Sequence, residues 1–152
     1  MCVGIAQATV DAVKGIGATS VRADLGMSIR EQTTVQEKVA SASEALIAAR
    51  LSLKDALSSA YAASLNHDKV TDAQAARLWS SGQNAANTAI SIVRDMFDSA
   101  GSSSLYTRFP IERAHRDIHA MCRHIIFSPL MLQESGRVML GIEPAIRHIF
   151  NT

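Results

Sequence analysis

The sequence predicts an all-α protein, an up-and-down helical bundle of four to five helices, and three observations carry that reading. Apolar and small residues recur at steps of three and four over most of the chain. Only 5% of residues are aromatic while Ala and Ser abound, which suits long helices that approach closely through small side chains. Short breaks rich in Gly, Pro and Ser fall between the periodic runs, and no convincing strand, internal repeat or second domain is found. The 152 residues fit one domain with one core, residues 1–152.

The first helix is expected from Val3, Ala6, Val10 and Val13, ending near residue 14 at Gly15 and Gly17. No Ser, Thr, Asp or Asn precedes it to accept the free amides of its first turn, so the chain is expected to begin inside a longer protein. Residues 18–33 read as a loop or broken connection. Thr34-Val35-Gln36-Glu37 has the form of a capping box, and the stripe Val35, Val39, Ala42, Leu46, Ala49, Leu53, Ala56 and Ala60 predicts a long second helix. Asn66-His67-Asp68 interrupts it, and Thr71-Asp72-Ala73-Gln74 is a second capping box. The third helix follows with a seam of Leu78, Gly82, Ala85, Ala89, Ile92 and Met96, antiparallel to the second because the connection is short. Ala100-Gly101-Ser102-Ser103-Ser104 reads as a small-residue loop. Pro110 opens a fourth helix with an apolar face of Ile111, Ala114, Ile118, Met121 and Ile125. Ser128-Pro129 opens a fifth, which runs to Met139-Leu140 with Gly141 as its stop, and 143–152 is a tail of unassigned structure.

Charge narrows the function classes. Lys plus Arg (15) nearly cancels Asp plus Glu (14), so no net field favours nucleic acid or an anionic membrane. Asp11 and Lys14 interrupt the N-terminal apolar run before spanning or secretory length, and two cysteines far apart in sequence, Cys2 and Cys122, are no disulfide framework. A cytoplasmic protein is expected.

Chemistry concentrates in 113–124, which holds Arg113, His115, Arg116, Asp117, His119, Cys122, Arg123 and His124. His115, His119 and Cys122 could share a helix side, but without a further ligand or a carboxylate base no metal site is expected. Glu112 with Arg116, and Arg113 with Asp117, stand four apart and suit ion pairs on a helix surface. His124 and Asp117 fall on one helix face but too far apart to hydrogen-bond. No nucleophile–histidine arrangement can be assembled from spacing.

Residues 105–120, Leu105-Tyr106-Thr107-Arg108-Phe109-Pro110-Ile111-Glu112-Arg113-Ala114-His115-Arg116-Asp117-Ile118-His119-Ala120, resemble the Pro-x-x-Arg/Lys-x-x-Arg-Asp segment of acyl-CoA dehydrogenases. Arg22-Ala23-Asp24-Leu25-Gly26 is similar to the family's Arg-x-x-x-Gly motif ahead of the long helix, and the likeness covers nearly the whole chain. It implies the helical C-terminal domain of that flavoprotein superfamily. The dehydrogenases place a Glu-Gly-Thr after the Arg-Asp pair, whose carboxylate removes the substrate's α proton; here the position reads Ile125-Ile126-Phe127. Instead, His119-Ala120-Met121-Cys122-Arg123-His124 resembles the His-Ala-x-x-x-His pattern of two-component flavin monooxygenases.

That resemblance implies a monooxygenase hydroxylating a small aromatic or heteroaromatic compound with O2 and reduced FMN or FAD from a separate reductase. It implies a C4a-hydroperoxyflavin with His124 as the catalytic histidine, either deprotonating a phenol or hydrogen-bonding the peroxide. It further implies flavin contacts from Arg22, toward the phosphate, and from Gly101, Ser102 and Ser103, where the dehydrogenases carry a glycine-rich loop. A homo-oligomer, dimer or tetramer, is expected. The competing expectations are an acyl-CoA dehydrogenase-type domain and a helical oligomerisation module without chemistry.

Overall fold

The computed structural model describes residues 1–17, 21–22, 26–106 and 110–150, and for Arg22, His148 and Ile149 the backbone alone. Ala23, Asp24 and Leu25 of the arginine–glycine motif, and Thr107, Arg108 and Phe109 of the dehydrogenase-like segment, lie outside the described residues.

Helix α1 spans Cys2–Gly17 and buries Ala6, Val10 and Val13 as its periodicity requires. It continues past Gly15, beyond the expected end, because Ile16 and Gly17 are themselves buried and packing outweighs the poor helix propensity of glycine. A Cβ on Gly17 would come within 3.3 Å of the Arg30 Cβ, and the Ser28 hydroxyl donates to the Gly17 carbonyl at 2.8 Å. Contrary to the strandless expectation, β1 (Val21–Arg22) and β2 (Met27–Ser28) form a short antiparallel pair, Val21 opposite Ser28 and Arg22 opposite Met27. Two residues per strand cannot display an alternating pattern, so the sequence carries no sign of them.

Helix α2 spans Thr33–Leu65. The expected Thr34–Glu37 box does not form, since the helix has already begun and its cap is Gln32, without a side-chain bond. The local box lies earlier, where the Glu31 carboxylate accepts the Ser28 N–H at 2.9 Å ahead of a 3-10 turn. The α2 stripe behaves as read: Val35, Ala42, Leu46, Ala49, Ala56 and Ala60 are buried, with Val39 and Leu53 half-buried.

Helix α3 spans Asp72–Ala100 and opens on the predicted box, in which Thr71 N–H donates to Gln74 Oε1 at 3.0 Å and Gln74 N–H to Thr71 Oγ1 at 3.2 Å. Arg77 pairs with Asp55 at 2.8 Å, and the Gln74 amide donates to the Ser59 carbonyl at 3.3 Å, tying α3 to α2. Ala76, Ala86 and Val93 are buried as well as the seam residues Ala85, Ala89, Ile92 and Met96, so α3 is enclosed on more than one side. It packs against α1, α2, α4 (Ile111–Met121), α5 (Pro129–Met139) and the short α6 (Arg147–Phe150). The bundle is thus an all-α up-and-down array with α3 at its centre.

Three local expectations change at the C-terminal half. Gly101–Leu105 is a 3-10 helix rather than a loop. The apolar face of α4 stops at Met121, and Ile125 is 64% exposed in a separate 3-10 turn, Ile125–Phe127. The tail is fastened: the buried Glu134 carboxylate accepts the N–H groups of Ala145 at 2.6 Å and Ile146 at 3.2 Å, and Phe150 is fully buried with Ala75 and Ala76. Among the described residues, no helix is long and apolar enough to cross a membrane.

Candidate active site

Two fully buried isoleucines, Ile111 and Ile118, seat α4 in the main core. Its outer face carries the expected ion pairs, Arg116 with Glu112 at 2.6 Å and Arg113 with Asp117 at 3.3 Å. These charges are exposed apart from the half-buried Glu112, and pairs of this kind contribute little to stability. His115 lies with its ring 4.6 Å from that of Phe97, and His119 meets His115 edge-on at 4.9 Å. The two histidines therefore pack as rings, and Cys122 faces elsewhere. Among the described residues no group of three or more His, Cys, Asp or Glu side chains could hold a metal ion.

The helix ends at Met121, and the chain turns through Cys122, whose N–H still donates to the Ile118 carbonyl. Ser128 precedes a proline, which disfavours helical backbone there and keeps the 3-10 turn that follows α4 separate from α5. His124 occupies the corner. Its backbone is extended, at φ −63° and ψ 145°, and its Nδ1 accepts the Ile126 N–H at 3.4 Å. The expectation of His124 on a helix face with Asp117 is thereby corrected: the two are on different elements. With Nδ1 as acceptor, the neutral ring carries its proton on Nε2 and presents a donor there.

An open cleft of about 660 Å³ lies between this corner and the start of α1. Met1, Cys2, Ala120, Met121, Ile126 and Phe127 give it a largely apolar lining, with Arg123 and His124 as its ionisable side chains besides the Cys2 thiol. No carboxylate stands among these residues. Cys2 Sγ is 3.9 Å from Cys122 Sγ and 3.7 Å from Met121 Sδ. Burial, reinforced by Cys2, pushes the Cys122 thiol up to about 11.

The remaining predicted contacts gather elsewhere. Gly101 caps α3 at φ 56° and ψ −138°, a conformation that glycine alone adopts readily, and the buried Ser104 hydroxyl donates to its carbonyl at 2.6 Å. Gly101 and Ser102 line an open hollow of about 280 Å³ with Phe97, Asp98, Ser104 and Leu105, whereas Ser103 lines neither hollow nor cleft. Phe97, His115 and His119 form a ladder of rings from that hollow along α4, and Ala120, next in sequence, lines the cleft. Arg22 sits in β1, with its side chain outside the described residues. Sequence reasoning missed Cys2, Met121 and Phe127 as cleft residues. No spacing rule joins positions 120 apart.

Residues 1–129 match the model of the acyl-CoA dehydrogenase C-terminal domain. Three solved structures share the fold. XiaF from Streptomyces sp., solved with FADH2 and glycerol, aligns at a TM-score of 0.84 and 16% identity over 95% of this chain and 37% of its own. The HsaA monooxygenase from M. tuberculosis aligns at 0.81 and 23% identity, over 95% of this chain and 36% of its own. The 3-HSA hydroxylase from Rhodococcus sp. RHA1 aligns at 0.80 and 24% identity, over 93% and 35%. The chain thus spans little more than a third of the length of each. No curated protein matches the sequence.

Proposed function

The chain belongs to the acyl-CoA dehydrogenase C-terminal domain family, and from that premise we propose that it is the C-terminal domain of a flavin-dependent monooxygenase that hydroxylates a small aromatic or heteroaromatic compound. Reduced FMN or FAD, delivered by a separate reductase, supplies the oxygen-activating chemistry. The observation that carries this reading is the cleft at His124, apolar enough for a ring and furnished with a histidine but no carboxylate. The carboxylate base that the best-known acyl-CoA dehydrogenases carry at that position is replaced here by Ile125-Ile126-Phe127, so a dehydrogenase of that type would need its base elsewhere. The names of the HsaA monooxygenase and the 3-HSA hydroxylase, and the FADH2 bound to XiaF, support the same class.

The donors this chain offers suit a flavin in kind. The hydroxyls of Ser102 and Ser103 and the amides around them are neutral donors for ring carbonyls, and the Arg22 guanidinium matches a phosphate. The hollow at Gly101 is open and, at about 280 Å³, falls below the roughly 300–1,000 Å³ of sites that enclose a ligand, so Gly101 and Ser102 form one wall of a pocket. His124 acts from the other side as a hydrogen-bond donor through Nε2, holding an oxygen atom near the ring to be hydroxylated. In the intact enzyme, His124→Ala lowers product formation by about 100-fold while reduced flavin still reacts with oxygen and peroxide is released instead. Product and peroxide are measured together. Unchanged coupling of flavin oxidation to product overturns the role of His124.

Self-association is part of this reading. Ile47, Leu51, Leu57, Tyr61 and Leu65 lie along one side of α2 and are 50–63% exposed, an apolar face of the kind that a second subunit covers. Light scattering is expected to give a mass above that of one chain, and Leu51→Glu to lower it.

A further inference from the structure

We propose that Cys2 and Cys122 form a peroxide-reactive dithiol that closes to a disulfide beside the His124 cleft. The two positions are 120 residues apart, yet α1 and the end of α4 bring their sulfurs to 3.9 Å. Disulfide formation requires the sulfurs to close by about 2 Å. Cys122 is the cap after α4, where a helix end has room to adjust and the sulfur can approach Cys2.

Position and protonation assign the roles. Cys2 is the more buried of the two but lines the cleft, whereas Cys122 does not line it and is held protonated by burial, so a small hydroperoxide lodged in the cleft lies against Cys2. The Cys2 thiolate attacks one peroxide oxygen, the O–O bond breaks, and water leaves after protonation, giving a sulfenic acid. The Cys122 thiolate then attacks that sulfur, forming the S–S bond and expelling hydroxide, which leaves as water with the proton lost from Cys122. In sum, two thiols and one hydrogen peroxide give one disulfide and two waters, with two electrons passing from sulfur to oxygen. The second step is slow at neutral pH, because burial keeps Cys122 protonated up to about 11. The pair is thus insensitive to casual thiol exchange and responds to sustained peroxide. None of this depends on flavin binding, since the oxidant comes from solution.

The intact protein is treated with hydrogen peroxide in the absence of flavin, and its free thiols and mass are followed. Both thiols are expected to disappear together, with a mass loss of about 2 Da that dithiothreitol reverses. The rate of disulfide closure rises with pH, approaching tenfold per unit while thiolate supply is limiting. In Cys122→Ser, oxidation stops at a Cys2 sulfenic acid that dimedone traps; in Cys2→Ser, Cys122 remains titratable. The proposal is overturned by a gain of about 16 Da at Met121, whose sulfur is 3.7 Å from Cys2, with both thiols intact. A disulfide linking two chains, or trapping at Cys122 before Cys2, overturns it equally. The wild-type mass shift decides the matter even where a variant folds poorly.

Discussion

The pair α2–α3 and the strip from Phe97 to Ser128 obey different rules. Along α2 and α3 the interior is built from alanines at steps of three and four, with Ala42, Ala49, Ala56 and Ala60 on one helix and Ala76, Ala85, Ala86 and Ala89 on the other. Each small side chain lets the backbones approach, and burial repeats with the helix period. The strip instead breaks into a 3-10 helix, an 11-residue α4 and a second 3-10 turn, and it leaves Leu105, Tyr106, Ile125 and Ile126 exposed. The first region is one repeated solution to close packing. The second sacrifices regularity to present particular groups, His124 and the Gly101 turn, to two open concavities.

The largest expected effect tests the regular half. Ala89 is fully buried, so Ala89→Leu forces extra methylenes into a closed interface and costs about 3 kcal/mol. Chemical denaturation measures it against Asn84→Leu, an exposed position on the same helix expected to stay within about 0.5 kcal/mol. Equal effects at the two positions dissolve the distinction between a packed small-residue face and an outer one.

That distinction is also why one half was legible in the sequence. Periodicity reports burial on a long helix, so the stripe of α2, the seam of α3 and the Thr71–Gln74 box are all readable in the sequence. The ion pairs of α4 followed from spacing alone. Where an element is two to five residues long, no period exists to read, and β1, β2 and both 3-10 segments around the site escaped. The Thr34 box failed for a related reason: a capping motif is local, and Gln32 took the cap once the turn at Ser28–Glu31 had fixed the start of α2. His124 and Gly101 were singled out through family resemblance, and their separation into cleft and hollow, like the meeting of Cys2 with Cys122, depends on tertiary packing that no spacing encodes.

A smaller effect sharpens the irregular half. A Cβ on Gly101 would meet nothing within 4 Å, so Gly101→Ala brings no clash and isolates the backbone cost of φ 56° with ψ −138°. About 2 kcal/mol is expected, from a region that side chains other than hydrogen rarely enter. Thermal melting reads the loss, and a neutral result would mean that the α3 end re-forms as an ordinary helix terminus.

The smallest effect concerns the cleft and appears only in alkali. Burial and the nearby Cys2 raise Cys122 from an ordinary thiol value of 9.0 to about 11, so above pH 9 the unfolded chain loses this proton while the folded chain keeps it. The folded state then binds more protons than the unfolded, and stability falls as pH rises. The contribution is whole below pH 9 and is lost progressively toward pH 11. Because the site is only partly enclosed, solvent screens the effect, and it stays below the two mutational losses. Melting temperatures recorded from pH 8 to pH 11 should therefore slope downward in the wild type and slope less in Cys122→Ser, whose hydroxyl does not titrate in that range. Ala89→Leu, far from any thiol in its chemistry, should lower the whole curve without changing its slope; if it flattens the alkaline limb as well, the packed half and the cleft do not behave as independent regions.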